Sequence, residues 1–224
     1  DAGCCAQARE EVHRDGLFHL ADEEAERRYK SGSEVAHSHC CGGKQSWEEV
    51  GIRHEVDVKG AHLLGLDFTF KASPKVSLGA GIEIISGNDG DAGETGAFFP
   101  LYGTNHKFNG FMDYFYVGNH VNSVGLVDIY AKISTTLGEK SNLTAFIHNF
   151  SSQGEISANV DKGLGTELDL VYSHKFNNDI SIGAGYSQMF ASEGLEVIKN
   201  NTDGNANNWA WLMVTIKPTL FSTK

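Results

Sequence analysis

The sequence predicts an all-β protein: an antiparallel up-and-down transmembrane β-barrel with seven or eight strands present, preceded by a short N-terminal helical or irregular segment. Three observations predict it. From Ala61 onward, apolar residues alternate with small or polar ones at period 2, the signature of a strand with two unlike faces. The runs carrying this alternation are each about 9–12 residues long, close to the roughly 9–11 that a tilted strand needs to cross a bilayer. The connections between them alternate short and long, as in barrels with short turns at one mouth and long loops at the other.

In Ala61–Lys71, Leu64, Leu66, Phe68 and Phe70 share one face, and Gly65, Asp67, Thr69 and Lys71 share the other. Residues 72–75 (Ala-Ser-Pro-Lys) form a tight turn. Val76–Ser86 repeats the pattern, with Val76, Leu78, Ala80, Ile82 and Ile84 set against Ser77, Gly79, Gly81 and Glu83. Further strands are predicted at Val124–Thr135, Asn142–Phe150, Gly165–Phe176, Ile180–Phe190 and Trp209–Lys217. Short turns fall at 72–75, 136–141 and 177–179, and long loops at 87–123, 151–164 and 191–208. Counting back from the last strand, the chain ends on the short-turn side, as outer-membrane barrels do. Trp47–Val58 is a candidate eighth strand, giving the even number such barrels favour.

Charge follows the same period. Asp67, Lys71, Glu83, Asp128, Lys132, Glu167, Asp169, Lys175 and Lys217 fall on the face expected to line a lumen, with His148 beside Thr144. Leu64, Leu66, Phe68, Ile82, Val127, Ile129, Ile133, Leu168, Leu170, Ile182, Leu212 and Val214 fall on the face expected to meet lipid, where a charge is costly. Gly65, Gly79, Gly81, Gly183 and Gly185 on the lumenal face are expected to leave room for water or for an inward loop. The loop at 87–123 is long enough to fold inward as a constriction. Phe70, Tyr172, Phe176, Phe190 and Trp209, at strand ends, are expected to form interfacial aromatic girdles. A soluble β-barrel binding an apolar ligand inside shares the period-2 pattern; it requires the Leu/Ile/Phe face to point inward.

The first 55 or so residues have a different composition. All four Cys (Cys4, Cys5, Cys40, Cys41) and all five Arg (Arg9, Arg14, Arg27, Arg28, Arg53) lie there, whereas Asn, Thr, Met and Pro are absent before residue 61. The break divides the chain into an N-terminal Cys/His/Arg-rich segment at 1–55, unstructured or extraneous to the fold, and a barrel domain at 56–224. A frameshifted reading or a fusion would produce such a break. Residues 6–30 are rich in helix formers with only a weak apolar stripe, predicting a solvated helix. His37, His39, Cys40 and Cys41 with Cys4 and Cys5 offer soft ligands, but adjacent cysteines do not aim both sulfurs at one metal, so no metal site is expected. No signal-peptide pattern opens the chain, so compartment is read from the strands.

The net charge of −11 disfavours nucleic acid, whose phosphates it repels. No enzymatic motif is present: Ser173, His174 and Ser187 lack a nucleophile signature, and no phosphate-binding Gly-rich loop precedes a helix. No cofactor is expected. Asp89-Gly-Asp91 and Asp203-Gly-Asn205 read as turns, since neither has the fuller Ca²⁺-loop ligand series.

Four segments carry a family resemblance: Ala61–Phe68 (AHLLGLDF), Ile84–Asp89 (IISGND), Phe99–Tyr116 (FPLYGTNHKFNGFMDYFY) and Asn208–Pro218 (NWAWLMVTIKP). In this order, across about residues 56–221, they resemble the alginate-export family of Gram-negative outer-membrane barrels. The resemblance implies a porin-like channel in the cell outer membrane for passage or export of a polysaccharide or other polar solute. Its implied partners are outer-membrane lipid and export machinery. Members are longer, with roughly twice as many strands, so this chain resembles their C-terminal half. Two features depart from the family. The lumenal list holds four Lys (Lys71, Lys132, Lys175, Lys217) against five acids (Asp67, Glu83, Asp128, Glu167, Asp169), which gives no support for a polyanionic solute. And Phe221 is followed by Ser-Thr-Lys, where such barrels usually end on the aromatic.

Overall fold

The computed structural model describes residues 32–40, 43–49, 52–58, 60–88, 94–98, 100, 106–115, 123–201 and 207–219. Its elements in chain order are β1 (Gly32–Cys40), β2 (Gly43–Glu49), β3 (Ile52–Val58), β4 (Ala61–Lys71), β5 (Val76–Ile85), β6 (Glu94–Thr95), β7 (Leu126–Gly138), β8 (Ser141–Ser151), β9 (Gly163–Lys175), β10 (Ile180–Ala191), α1 (Glu193–Lys199) and β11 (Asn208–Ile216). The predicted 6–30 helix, Cys4, Cys5, Cys41, the Asp89-Gly-Asp91 and Asp203-Gly-Asn205 turns and Phe221 lie outside the described residues.

Eight strands form one antiparallel sheet in the order β1-β4-β5-β7-β8-β9-β10-β11. The architecture is all-β, up-and-down and barrel-like. Among the described residues no pairing joins β11 to β1, so the sheet is open. Each of the seven strands predicted from Ala61 onward is present. The eighth member differs from expectation. Trp47–Val58 does not join this sheet; β2 and β3 pair with each other, and β3 runs parallel to β6 in a separate three-stranded sheet. The added strand is β1, antiparallel to β4 from Gly32↔Thr69 to Cys40↔Ala61. Gly32–Cys40 has no apolar alternation, but the free edge of β4 presents a row of backbone N–H and C=O groups that a partner of any side-chain pattern satisfies.

The short turns pin the register. Between β4 and β5, Ser73 Oγ accepts the N–H groups of Lys75 and Val76. Between β9 and β10, Asn177 Oδ1 accepts those of Asp179 and Ile180. Glu139 and Lys140 alone link β7 to β8. Register matters because a slip of one residue exchanges the two faces of a strand.

The two faces have reversed polarity. Leu64, Leu66, Phe68, Leu78, Ile129, Ile133, Ile147, Leu168, Leu170, Leu212, Val214 and Ile216 are exposed, the last three at 70%, 58% and 65%. No Asp, Glu, Lys or Arg stands on this outward row in β4, β5 or β7–β11. The opposite face carries Glu83, Asp128, His148, Glu167 and Asp169, all buried. It is the inner face: parts of the 87–123 loop and α1 pack on it. A small apolar cluster (Leu63, Ile85, Leu126, Phe150, Leu164 and Met189) lies on its long-loop end, where Phe115 and Leu195 come down onto it. Gly125, at φ +73°, turns the chain into β7; a Cβ there would stand 2.4 Å from the Ile85 carbonyl oxygen.

Candidate functional site

The inner face is a cross-strand polar ladder. Register pairs Glu83 of β5 with Asp128 of β7, Tyr130 of β7 with His148 of β8, His148 with Glu167 of β9, and Asp169 of β9 with Ser187 of β10. Alternation at period 2 places these side chains on one face, and adjacent strands bring paired residues within reach. His148 Nδ1 lies 2.9 Å from Asp128 Oδ1, with Nε2 3.8 Å from Asp169 Oδ2. Ser187 donates its hydroxyl to Asp169. Nearer the short-turn end, Tyr130 donates to Asp67 Oδ2 at 2.7 Å, and Lys132 Nζ lies 3.5 Å from the same oxygen.

Gly79, Gly81 and Gly185 of this face do not hold open space as expected. A Cβ on Gly79 would stand 2.3 Å from Lys132 Cε, one on Gly81 2.4 Å from the Tyr130 ring, and one on Gly185 2.2 Å from Trp211 Nε1. Each glycine is the notch over which a long cross-strand side chain lies.

Residues 106–115, the sequence HKFNGFMDYF, insert against this ladder. Asn109 Nδ2 donates to Glu83 Oε1 at 2.9 Å and to Asp128 Oδ2 at 3.3 Å. The backbone N–H groups of Phe111 and Met112 both donate to Glu167 Oε1, at 2.6 and 2.9 Å. Acidic side chains on three strands (Glu83 of β5, Asp128 of β7 and Glu167 of β9) therefore grip one segment through hydrogen bonds. Phe111 and Phe115 are buried, tilted on Phe146 and Phe150 at 5.5 and 4.5 Å between centroids. Full burial of a Phe contributes roughly 1.5–3 kcal/mol. The Asn-Gly step makes the approach possible. Gly110 has φ +82°, and a Cβ there would stand 2.6 Å from Glu167 Oε2. His106, Asn109 and Asp113 also have positive φ, so the segment is tightly wound. Burial, and secondarily the Glu167 carboxylate, push the Tyr114 phenol above its ordinary value.

Of the residues expected to line the lumen, Asp67, Glu83, Asp128, Lys132, His148, Glu167 and Asp169 lie together on the inner face. Lys71, Lys175 and Lys217 lie at its short-turn rim, where Lys71 and Lys217 are exposed. Phe70, Phe176 and Phe190 are exposed at strand ends, and Tyr172 is half-buried on the outward row. Trp209 corrects its assignment to a girdle: it is on the inward row of β11 and stacks on His106 at 4.1 Å, 21° from parallel. The reason is parity, since Asn208, Ala210, Leu212, Val214 and Ile216 take the outward positions. Asn109, Gly110 and Phe111 were not singled out individually from the sequence; a run of four Phe and Tyr around an Asn-Gly pair within a connection is the signal that marks them.

The Ser187 hydroxyl is fully buried and donates to Asp169 rather than to a histidine. Among the described residues no group of three or more His, Cys, Asp or Glu is arranged to hold a metal ion. No family model and no curated protein matches the chain.

Proposed function

We propose that the chain forms a porin-like outer-membrane β-barrel channel, or the C-terminal half of one, for passage or export of a polysaccharide or other polar solute. The observation that carries the reading is the reversed polarity: exposed Leu, Ile and Phe rows without a charge, against a buried face of acids and a histidine. In water such an outer surface far exceeds the few hundred Å² of contiguous apolar patch that a soluble monomer carries. In a bilayer it is the expected outer wall, with polar residues facing a lumen. Strands of 9–13 residues in β4, β5 and β7–β11 fit the thickness. The soluble ligand-binding barrel requires the opposite orientation.

The solute is not assigned as a polyanion. Lys132 is committed to Asp67, and the ladder beyond it is acidic. The inserted segment occupies the inner face, so it sets the free bore. The test is refolding in detergent followed by reconstitution into a planar bilayer. Stepwise currents support the channel. A stable monomer in detergent-free buffer, silent in the bilayer, refutes it.

A further inference from the structure

We propose that the short-turn rim is a docking surface for the headgroups of anionic phospholipids; the proposal rests on the membrane-spanning part of the reading above and not on conduction. Five lysines meet there. Lys71 and Lys175 end β4 and β9, Lys217 follows β11, and Lys75 and Lys140 stand in the turns after β4 and β7. Backbone hydrogen bonds fix them along one edge: Thr136 donates to the Lys75 carbonyl, Lys175 to that of Lys140, and Lys217 to that of Asp179, each at 2.8 Å. Against the five stand two acids of the same turns, Glu139 and Asp179.

These cations are not spent inside the fold. Lys71, Lys75, Lys175 and Lys217 have no ion pair or side-chain hydrogen bond among the described residues, and Lys140 Nζ donates only to the Phe176 carbonyl, at 3.0 Å. All but Lys175 are exposed. The opposite mouth has the other sign: Glu155, Asp161, Glu193 and Glu196 outnumber Lys162 and Lys199 in residues 151–164 and 191–201. In a chain of net charge −11, a lysine rim is therefore a segregated feature.

Its depth points to lipid. Phe70, Phe176 and Ile216, the sequence neighbours of Lys71, Lys175 and Lys217, are the last exposed apolar residues of the outward row. Positive charge begins one residue beyond the greasy band, where hydrocarbon gives way to phosphate, and a lysine stem is long enough to carry its ammonium there. The lysines also span seven neighbouring strands from β4 to β11, about 30 Å of rim at roughly 4.8 Å per strand. One small anion touches one or two of them, whereas a layer of headgroups meets them all. Flexible point charges suit such a fluid layer better than the rigid fork of arginine, which is absent after Arg53.

The test uses the full chain refolded in detergent, its fold checked by the heat-modifiable gel band. Native mass spectrometry then reads lipid retained on titration with phosphatidylglycerol or phosphatidylcholine. Each lysine near an anionic lipid surface contributes roughly fivefold in affinity. The wild type, with three more lysines than acids at the rim, is expected to prefer phosphatidylglycerol roughly a hundredfold. Lys75→Gln with Lys140→Gln, both in turns, is expected to reduce the preference to roughly fivefold, and Lys162→Gln at the other mouth to leave it unchanged. Should the double variant lose the gel band, Lys75→Gln alone decides, by a roughly fivefold loss. Equal retention of the two lipids by the wild type, or an undiminished preference in the folded variant, overturns the proposal. A variant that keeps the lipid preference but alters the ion selectivity of bilayer currents assigns the lysines to an anionic solute, and also overturns it. A phosphatidylglycerol preference lost in the variant, without current from any preparation, upholds the rim and refutes the channel. Current without the preference does the reverse.

Discussion

Leu170→Lys places one ammonium in the middle of the outward row. Leu170 is the eighth of 13 residues in β9, is 46% exposed, and has Ala145 and Tyr186 as register partners. No charged side chain on that row is available to pair with the new cation. In water the substitution is mild. About half of the leucine's surface is already free, and the lysine stem covers much of the rest, leaving a cost of about 1 kcal/mol or less. At a bilayer midplane the same ammonium costs about 2–4 kcal/mol. That is roughly a 30- to 700-fold shift toward the unfolded state, at 1.4 kcal/mol per tenfold. Leu170→Met, close in volume and still apolar, is the near-neutral control. The assay is equilibrium urea unfolding in lipid vesicles, read by the fluorescence of Trp47, Trp209 and Trp211. A Leu170→Lys midpoint within 0.5 kcal/mol of the Leu170→Met control, an order-of-magnitude threshold for an ordinary surface change, would refute the assignment of this face to lipid.

Three further outcomes are expected. Gly81→Ala drives a methyl into the Tyr130 ring and toward the Leu66 carbonyl oxygen, costing about 1–3 kcal/mol, whereas Gly138→Ala, with nothing within 4 Å, is neutral or slightly stabilising; urea midpoints compare the two. His106→Ala removes the ring stacked on Trp209 and shifts the tryptophan emission of the folded protein toward that of a solvated indole. Burial holds the Lys199 ammonium below its ordinary value of 10.5. The unfolded chain therefore binds more protons between the lowered folded value and 10.5, so stability rises with pH across that window; Lys199→Met abolishes the slope in pH-dependent unfolding.

The seven strands from Ala61 onward were legible because both of their determinants are local. Leu64-Gly65-Leu66-Asp67-Phe68 states the facing of β4 without reference to any neighbour, and Pro74 and Asn177 mark turns by their own chemistry. Where a neighbour decides, sequence failed. Nothing in Gly32–Cys40 announces β1, whose position follows from the vacant edge of β4. Gly79, Gly81 and Gly185 read as space, but Lys132, Tyr130 and Trp211 on the adjoining strands fill it. Trp209 read as a girdle residue by its place at a strand end, and the insertion of His106 on the inner side explains its actual contact. Helix α1 lay within the 191–208 loop although its ends are marked: Glu193 and Glu196 stand in the first turn, Lys199 in the last, and Asn200 closes it at φ 50°, ψ 46°. Of the site, the ladder was visible as lumenal charges. Its grip on residues 106–115 was not, because a loop's destination depends on which strands face it across the sheet.

On the outer-membrane reading proposed above, the reversed polarity has a consequence for how the polypeptide would reach the membrane. Along β4, β5 and most of β7 and β9, the greasy residues of the outer wall are separated from one another by small or polar ones, so the wall exists only once strands are laid side by side. Stretched out, the longest uninterrupted apolar run is the six residues Trp209–Val214, against the roughly 20 at which a lipid bilayer captures a helix. On the outer-membrane reading, an unfolded chain of this kind threads through an inner membrane without lodging there. It becomes a membrane protein by pairing its strands, and only at the place where they pair.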